Sequence, residues 1–248
     1  MIYEIEITLR TIRQEGLGSF FKKMRAYSHQ LICGFFFFFV RLPRNATPEA
    51  LVDFGFHTVG GLLQLSQERS EIISLAKLIK DRQPRTVVEI GTAHGGTLFL
   101  WCRLAHPQGT IVSIDLPGGR HGGGYPYWKS WLYRRFPLTT QQLHLLRGDS
   151  HQPEMRARLK NILPEAGKVD FLFIDGDHSY AGVKADFEMY SGLVRPGGLI
   201  VFHDICKHAE QLNCHVDRFW QEVKTERRTR EFVRDWNQGI FGIGVIEV

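Results

Sequence analysis

A regular alternation of short β-rich runs and helical segments, beginning near residue 66, restricts the fold of this chain more than any other feature. The predicted strands cover residues 86–90, 110–114, 143–146, 169–174, 199–202, 231–233 and 240–247. Apolar residues at helical spacing predict helices over 68–80, 96–105, 154–163, 180–194 and 209–224. Strands that alternate with helices form right-handed βαβ units, and a short glycine-containing loop precedes the last strand. We therefore predict a doubly wound α/β fold with a seven-stranded, mostly parallel sheet and an antiparallel last strand.

Polar residues follow five of the predicted strands at the point where each strand ends. In strand order they are Glu89 to Thr97, Asp115, Gly148 to Ser150, Asp175 to His178, and His203 with Asp204. Open parallel sheets bind ligands outside the carboxyl ends of their strands. Five such ends in succession predict a binding site along this edge of the sheet.

The first three strand ends have features of nucleotide binding. Gly91, Gly95 and Gly96 allow a tight turn close to a ligand, although their spacing differs from the dinucleotide pattern G-x-G-x-x-G. Asp115 follows Gly91 by about 24 residues and either accepts bonds from a ribose diol or caps a helix. The glycine turn before it favours the ribose role. Asp149 suits an exocyclic amine such as that of adenine.

The motifs EIGTAHGGT, SIDLPGG, GDS and FIDGDHSYAGVKADFEMYSGLVRPGGLIVFHD together resemble the class I S-adenosylmethionine-dependent methyltransferases. Within that family the chain is similar to the metal-dependent sugar and small-molecule O-methyltransferases and to the cephalosporin-hydroxylase-like proteins. The resemblance covers residues 64–248 and implies a Rossmann-like methyltransferase domain with S-adenosylmethionine as cofactor. It implies that the cofactor contacts Glu89, Gly91, Thr92, Gly95, Gly96, Thr97, Asp115, Gly148, Asp149, Ser150 and Asp175.

The same resemblance implies a divalent metal and a general base at the last two strand ends. Asp175, His203 and Asp204 are the implied ligands of Mg²⁺ or Mn²⁺. His203 departs from the oxygen ligands that Mg²⁺ prefers, since imidazole suits Zn, Fe, Mn or Ni better. His178 is the implied base beside Asp175, because an alcohol becomes a good nucleophile only when its proton leaves. The alternative is that His178 caps the next helix or bonds a carboxylate.

Two other segments have local patterns that bear on the site. The connection over residues 117–136 is rich in glycine and aromatic residues, which predicts either a substrate lid or a helix with a buried aromatic face. The side chains proposed to contact a substrate are Arg120, His121, Tyr125, Tyr127, Trp128 and Trp131. A second group, Cys206, His208, Cys214 and His215, lacks the usual spacing of structural zinc sites, so a simple loop before a helix is favoured there.

Residues 1–63 are predicted to form an N-terminal helical arm. Seven basic and three acidic side chains in residues 1–44 account for +4 of the net charge of +5, so the remaining body gives no indication of nucleic-acid binding. The run LICGFFFFFV over residues 31–40 is too short to span a bilayer. With its basic flanks over residues 22–44, it fits either peripheral contact with an anionic membrane or packing on the main domain or a second subunit.

The sequence thus favours an enzyme that methylates a hydroxyl on a small molecule or sugar. Four unpaired-looking cysteines and the lack of a signal peptide pattern predict a cytoplasmic protein, with or without membrane association. The alternatives are an NAD-dependent oxidoreductase, a hydroxylase-like metal enzyme, and a non-catalytic protein that docks to a membrane or partner. The missing dinucleotide pattern argues against the first alternative.

Overall fold

The structure is a computed structural model that describes residues 2–118, 124–163, 168–225 and 227–248. It contains two compact units, Met1–Arg41 and Leu42–Val248. The predicted domain boundary after residue 63 lies inside the second of these units and stays a prediction about domain organisation.

The first unit is a single long helix, α1, over Ile2–Phe37. This agrees with the predicted helical arm. The side chains of Phe35, Phe36, Phe38 and Phe39 near its end are all exposed. Across the described residues, we find no helix with the length and hydropathy needed to cross a membrane.

The second unit contains the alternating elements. Its helices are α2 (Pro48–His57), α3 (Arg69–Arg82), α4 (Gly96–Leu104), α5 (Lys129–Tyr133), α6 (Pro153–Ile162), α7 (Tyr180–Tyr190) and α8 (Val216–Val223). Its strands are β1 (Thr86–Ile90), β2 (Thr110–Asp115), β3 (Gln142–Arg147), β4 (Val169–Ile174), β5 (Val194–His203), β6 (Arg228–Phe232) and β7 (Ile243–Glu247).

The seven strands form one sheet in the order β3-β2-β1-β4-β5-β7-β6. The first five strands pair in parallel, whereas β7 is antiparallel to both β5 and β6. The predicted fold class is therefore confirmed, including the antiparallel last strand. The strand order reverses between β1 and β4, which is the place where open α/β sheets form a ligand crevice.

Alternate residues of each central strand face two different helical layers. In β1, Val88 and Ile90 join the core cluster that also contains residues of α6, α7 and α8. Val87 and Glu89 point to the opposite face, as the two-residue period of a strand requires. On that face the ring of Trp101 in α4 lies 4.9 Å from the ring of Phe171 in β4. Both faces of the central sheet are thus buried.

Three element boundaries differ from the sequence prediction for identifiable reasons. The helix predicted over 180–194 ends at Tyr190, and β5 begins at Val194 because Val194 pairs with Val169. The register then shifts between Val169 and Phe171, and this irregularity accommodates Pro196, which cannot donate a ladder bond. The helix predicted over 209–224 begins only at Val216, since Asn213 has a left-handed backbone.

Candidate functional site

A cleft of about 650 Å³ lies along the carboxyl ends of the parallel strands. Its lining includes residues from each of the five predicted strand ends, among them Gly91, Asp115, Asp149, Asp175 and Asp204. The volume is within the range of about 300 to 1,000 Å³ that is common for small-molecule sites. The structure thus brings the predicted strand-end residues together at one cleft.

The turn after β1 brings the backbone unusually close to the end of β4. Gly91 has φ +88°, and a Cβ atom added there would lie 1.9 Å from the carbonyl oxygen of Asp175. Gly95 also has a positive φ, +86°, and serves as the N-cap of α4 without a side-chain hydrogen bond. The first turn of α4, including Gly96 and Thr97, therefore presents its backbone N–H groups beside the cleft.

Glu89 lies beneath this turn. It is fully buried, and its carboxylate accepts hydrogen bonds from Trp101 Nε1 at 2.8 Å and Thr92 Oγ1 at 3.0 Å. Burial raises the pKa of Glu89 to about 8. These contacts make Glu89 a support for the turn, while its predicted contact with a cofactor stays a prediction.

Asp115 ties the turn to the segment that follows β2. Its Oδ1 accepts the backbone N–H groups of Thr92 at 3.0 Å and Ala93 at 3.3 Å, and its Oδ2 accepts that of Tyr125 at 3.0 Å. Burial raises its pKa, although these donors act in the opposite direction. Since a carboxylate offers roughly four acceptor positions, three of them are already used.

The end of β3 is shaped by Asp149, with Gly148 and Ser150 on either side. Asp149 Oδ1 accepts the backbone N–H of His151 at 2.9 Å, and Oδ2 accepts Gln152 Nε2 at 3.2 Å. All three residues line the cleft. Asp149 therefore organises the loop before α6, and its predicted contact with an adenine stays a prediction.

Asp175, His178, His203 and Asp204 form a compact cluster at the ends of β4 and β5. His203 Nδ1 lies 3.2 Å from Asp175 Oδ1 and 3.3 Å from Asp204 Oδ1. His178 bridges the same two carboxylates, with Nε2 3.4 Å from Asp175 Oδ1 and Nδ1 3.1 Å from Asp204 Oδ2. One donor atom each from Asp175, His203 and Asp204 lie within 4.8 Å of one another. The predicted metal ligands are thus close enough to share one ion.

The charges in this cluster compensate each other strongly. Burial alone would lower the pKa of each histidine, but the carboxylates raise that of His178 to about 11 and that of His203 to about 10. In turn, and against the effect of burial, the imidazoles lower the pKa of Asp175 and hold that of Asp204 well below its usual range. The two carboxylates and the two imidazoles therefore stabilise the charged forms of each other.

Two further residues of the cluster were not assigned to the site from the sequence. His208 Nε2 lies 3.2 Å from Asp204 Oδ1, and Cys214 is hydrogen-bonded to both His178 and His208. The other two members of the Cys/His group lie differently. The Cys206 thiol contacts Gln238 Nε2 at 3.6 Å, and His215 donates its backbone N–H to His178. In the sequence, the indication that they belong to the cluster is that two metal-ligating residue types follow Asp204 within ten residues.

The described aromatic residues of the segment after β2 are not among the residues that line the cleft. Tyr125 is buried, with its ring 4.8 Å from that of Tyr133 and under the guanidinium of Arg147. Tyr127 and Trp131 are exposed. The predicted contacts of Arg120 and His121 lie outside the described residues. This part therefore supports the buried aromatic face, and the lid function stays a prediction.

Comparison with known proteins shows which domains and structures the chain is similar to. Residues 88–205 match a family model described as a methyltransferase domain. The chain is thus similar to this domain over just under half of its length. Over 84% of its length it superimposes on 94% of an O-methyltransferase from Bacillus cereus in complex with SAH, with a TM-score of 0.54 and 18% sequence identity.

Two other similarities extend the comparison of the methyltransferase domain. Over 82% of this chain and 55% of that one, it is similar to the MycE methyltransferase of the mycinamycin biosynthetic pathway in complex with Mg and SAH, with a TM-score of 0.53 and 18% identity. An uncharacterized protein, R132 of Acanthamoeba polyphaga mimivirus, is 56% identical over 140 residues, which are 50% of this chain and 53% of that protein. The chain spans about half or less of the curated relatives it matches.

Proposed function

We propose that this protein transfers the methyl group of S-adenosylmethionine to a hydroxyl group of a small molecule, such as a sugar. The observation that carries the proposal is the placement of a histidine–carboxylate cluster in the same cleft as the glycine turn and Asp115. One part of the cleft then holds a methyl donor, and the neighbouring part holds a proton acceptor.

The residues of the cleft fit S-adenosylmethionine. Gly91 has no room for a side chain because the carbonyl of Asp175 lies against it, so the turn after β1 and the end of β4 meet directly at the edge of the cleft. Asp115 has one acceptor position left for a ribose hydroxyl, and exchange of the Tyr125 N–H would free a second. When bound, the cofactor supplies an electrophilic methyl group on a sulfonium.

The donor set of Asp175, His203 and Asp204 fits a divalent cation. Two carboxylates and one imidazole suit Mn²⁺ or Fe²⁺ better than Mg²⁺, which prefers oxygen alone. A cation at this position supplies a positive charge that orients an acceptor hydroxyl and lowers its pKa. The high pKa values of His178 and His203 in its absence indicate how strongly the two carboxylates favour positive charge here.

His178 is the residue we assign as general base. Its Nδ1 faces Asp204 at 3.1 Å, which leaves Nε2 directed toward Asp175 at the cleft. Protonated His178 cannot accept a proton. When Asp175 and Asp204 hold a cation, their charge is offset and the pKa of His178 falls toward the neutral range, where an imidazole acts as a base.

The arm gives a second interaction that we include in the proposal. Four exposed phenylalanines near the end of α1 lie between basic residues at 22–25 and at 41 and 44. Apolar side chains flanked by positive charge fit the surface of an anionic membrane, and the same side chains fit a second copy of the chain. Of these two, we propose peripheral membrane contact, because it involves both the apolar side chains and the positive charge.

Calorimetric titration of the metal-stripped protein tests the methyl donor. We expect S-adenosylmethionine to bind with micromolar affinity and NAD to give no heat, and Mn²⁺ to give a separate binding signal that Asp175→Asn abolishes. Binding of NAD in place of S-adenosylmethionine would refute the proposal and favour an oxidoreductase.

The proposed base is tested by His178→Ala. Turnover with Mn²⁺ and a panel of sugars should fall by about 10² to 10⁴, the usual contribution of general base catalysis, while affinity for S-adenosylmethionine stays near that of the wild type. His57→Ala is the matched control, because His57 is exposed at the end of α2. Loss of cofactor binding in His178→Ala would instead assign a structural role to His178.

A further inference from the structure

A second group of metal-ligating side chains lies beside the proposed catalytic metal site. His178, Asp204 and Cys214 each offer one ligand atom within 4.8 Å of the other two. His208 is a fourth donor next to them, with Nε2 3.2 Å from Asp204 Oδ1 and a hydrogen bond to Cys214. The group therefore provides two nitrogens, one oxygen and one sulfur from four different residues.

The separations between the donor atoms suit a tetrahedral ion. Ligand atoms bound to Zn²⁺ at about 2.0 to 2.3 Å lie about 3.3 to 3.8 Å from each other in a tetrahedron. His178 Nδ1 and Asp204 Oδ2 are 3.1 Å apart, and His208 Nε2 and Asp204 Oδ1 are 3.2 Å apart. The two histidines contact different oxygens of Asp204, and both distances are close to the separations that bound ligands have.

The surroundings of the group fix its side chains as those of metal ligands are usually fixed. A ligating histidine commonly donates its second ring N–H to a carbonyl, which leaves the other nitrogen free for the ion. His208 Nδ1 lies 2.8 Å from the carbonyl oxygen of Cys206, so Nε2 is the nitrogen that faces Asp204. The backbone of His215 bonds the carbonyl of His178 at 2.8 Å and thereby holds the Cys214 loop against β4.

We propose that His178, Asp204, His208 and Cys214 form a binding site for a soft divalent cation of the Zn²⁺ class. A thiolate and two imidazoles select such a cation, whereas Mg²⁺ and Mn²⁺ prefer the oxygen-rich set of Asp175, His203 and Asp204. The thiol is almost completely buried, with 5% of its residue exposed, so the ion would be shielded from bulk thiols.

Occupation of this site has a consequence that rests on the proposed function. An ion on His178 Nδ1 leaves the proton on Nε2, and this imidazole cannot accept a proton from a hydroxyl group. The same ion also binds Asp204, which is then no longer available to a cation held by Asp175 and His203. Zn²⁺ is therefore an inhibitor of methyl transfer that acts at the base, and S-adenosylmethionine binding does not depend on it.

Cobalt(II) is the probe for this site, because a thiolate bound to Co²⁺ gives an intense charge-transfer band in the near ultraviolet. We expect metal-free wild-type protein to develop this band at one equivalent of Co²⁺, and Zn²⁺ to remove it by displacement. Cys214→Ser should abolish the band and weaken Zn²⁺ binding by at least about 100-fold, since changes to outer partners alone cost 10- to 100-fold. Cys206→Ser is the matched control and should retain the band, because its thiol contacts Gln238.

Several results would overturn the inference. The wild-type protein decides first and needs no variant: absence of a thiolate band means that Cys214 binds no ion. A band that survives in Cys214→Ser, or one that is lost in Cys206→Ser while that protein remains folded, assigns the ion to another thiol. If the band forms as expected but S-adenosylmethionine does not bind, the metal site stands and the proposed methyl transfer fails.

Discussion

Substitution of Gly91 by alanine tests the contact that forms the cleft between β1 and β4. Gly91 has φ +88°, and an added Cβ would lie 1.9 Å from the carbonyl oxygen and 2.5 Å from the carbonyl carbon of Asp175. Neither atom belongs to a flexible side chain. The backbone of one of the two strand ends must therefore move.

Two costs combine in this variant. A left-handed backbone costs a residue with a Cβ about 1–2 kcal/mol, and overpacking in a well-packed region costs a further 1–3 kcal/mol or so. We expect Gly91→Ala to lower the free energy of unfolding by about 2–5 kcal/mol. For a unit of this size that is a decrease in Tm of roughly 4–20 °C.

Two other glycines separate the contributions. Gly61 has φ +75° with no atom within 4 Å of an added Cβ, so Gly61→Ala should cost only the backbone term of about 1–2 kcal/mol. Gly192 also has open space and lacks a left-handed φ, so Gly192→Ala should change stability by less than about 0.5 kcal/mol.

Urea unfolding followed by tryptophan fluorescence measures these variants. All five tryptophans lie between residues 101 and 236, so the signal reports the second unit and not α1. If Gly91→Ala is as stable as Gly61→Ala, or more stable, then the contact between residue 91 and Asp175 has no effect on stability and the explanation is refuted. Affinity for S-adenosylmethionine should fall in Gly91→Ala alone.

Other predictions concern titration and the arm. Burial raises the pKa of Glu89 to about 8. The contribution of Glu89 to folding stability is therefore present below its ordinary pKa and is lost as pH rises to about 8. In urea unfolding, the wild type should lose stability relative to Glu89→Gln over that range. A hydrogen bond to buried Asp186 raises the pKa of His151 to about 9. The wild type should therefore be more stable than His151→Gln below about pH 6.5, and this difference should disappear as pH rises through 9. A protein without residues 1–41 should keep the unfolding transition seen by tryptophan fluorescence and its cofactor affinity, but should no longer sediment with phosphatidylserine vesicles. Equal sedimentation of the full-length and shortened proteins would refute membrane contact by the arm.

Local patterns were sufficient to predict the sheet and its polar edge. The β-rich runs of β1, β2 and β4 form almost entirely buried strands, and the carboxyl-end rule placed Asp115, Asp149 and Asp175 along one cleft. The ends of helices and strands were less predictable where pairing with a segment distant in sequence determines them. Val194 enters β5 because it pairs with Val169, which helical spacing after Tyr180 does not reveal.

The parts of the site that sequence reasoning missed depend on contacts between distant segments. His208 and Cys214 reach the cluster because the loop after β5 is fixed at both ends, by Ile205 N to Gly242 O at 3.3 Å and by His215 N to His178 O. Neither pairing has a local signature. The two-residue period of β1 puts Glu89 on the same sheet face as Val87, and its predicted contact with the cofactor stays a prediction.

The geometry of Asp204 connects the two metal-ligating groups. Its backbone is left-handed, with φ +65°, a conformation that is uncommon outside glycine and persists only where surrounding contacts determine it. The bonds from Ile205 and Cys206 to the chain before β7 provide such contacts. As a result Oδ1 faces His203 and His208, while Oδ2 faces His178. A single carboxylate is thus shared by an oxygen-rich and a sulfur-containing set of donors. Under the two proposals above, the cation that binds Asp204 would determine whether His178 is available as a base.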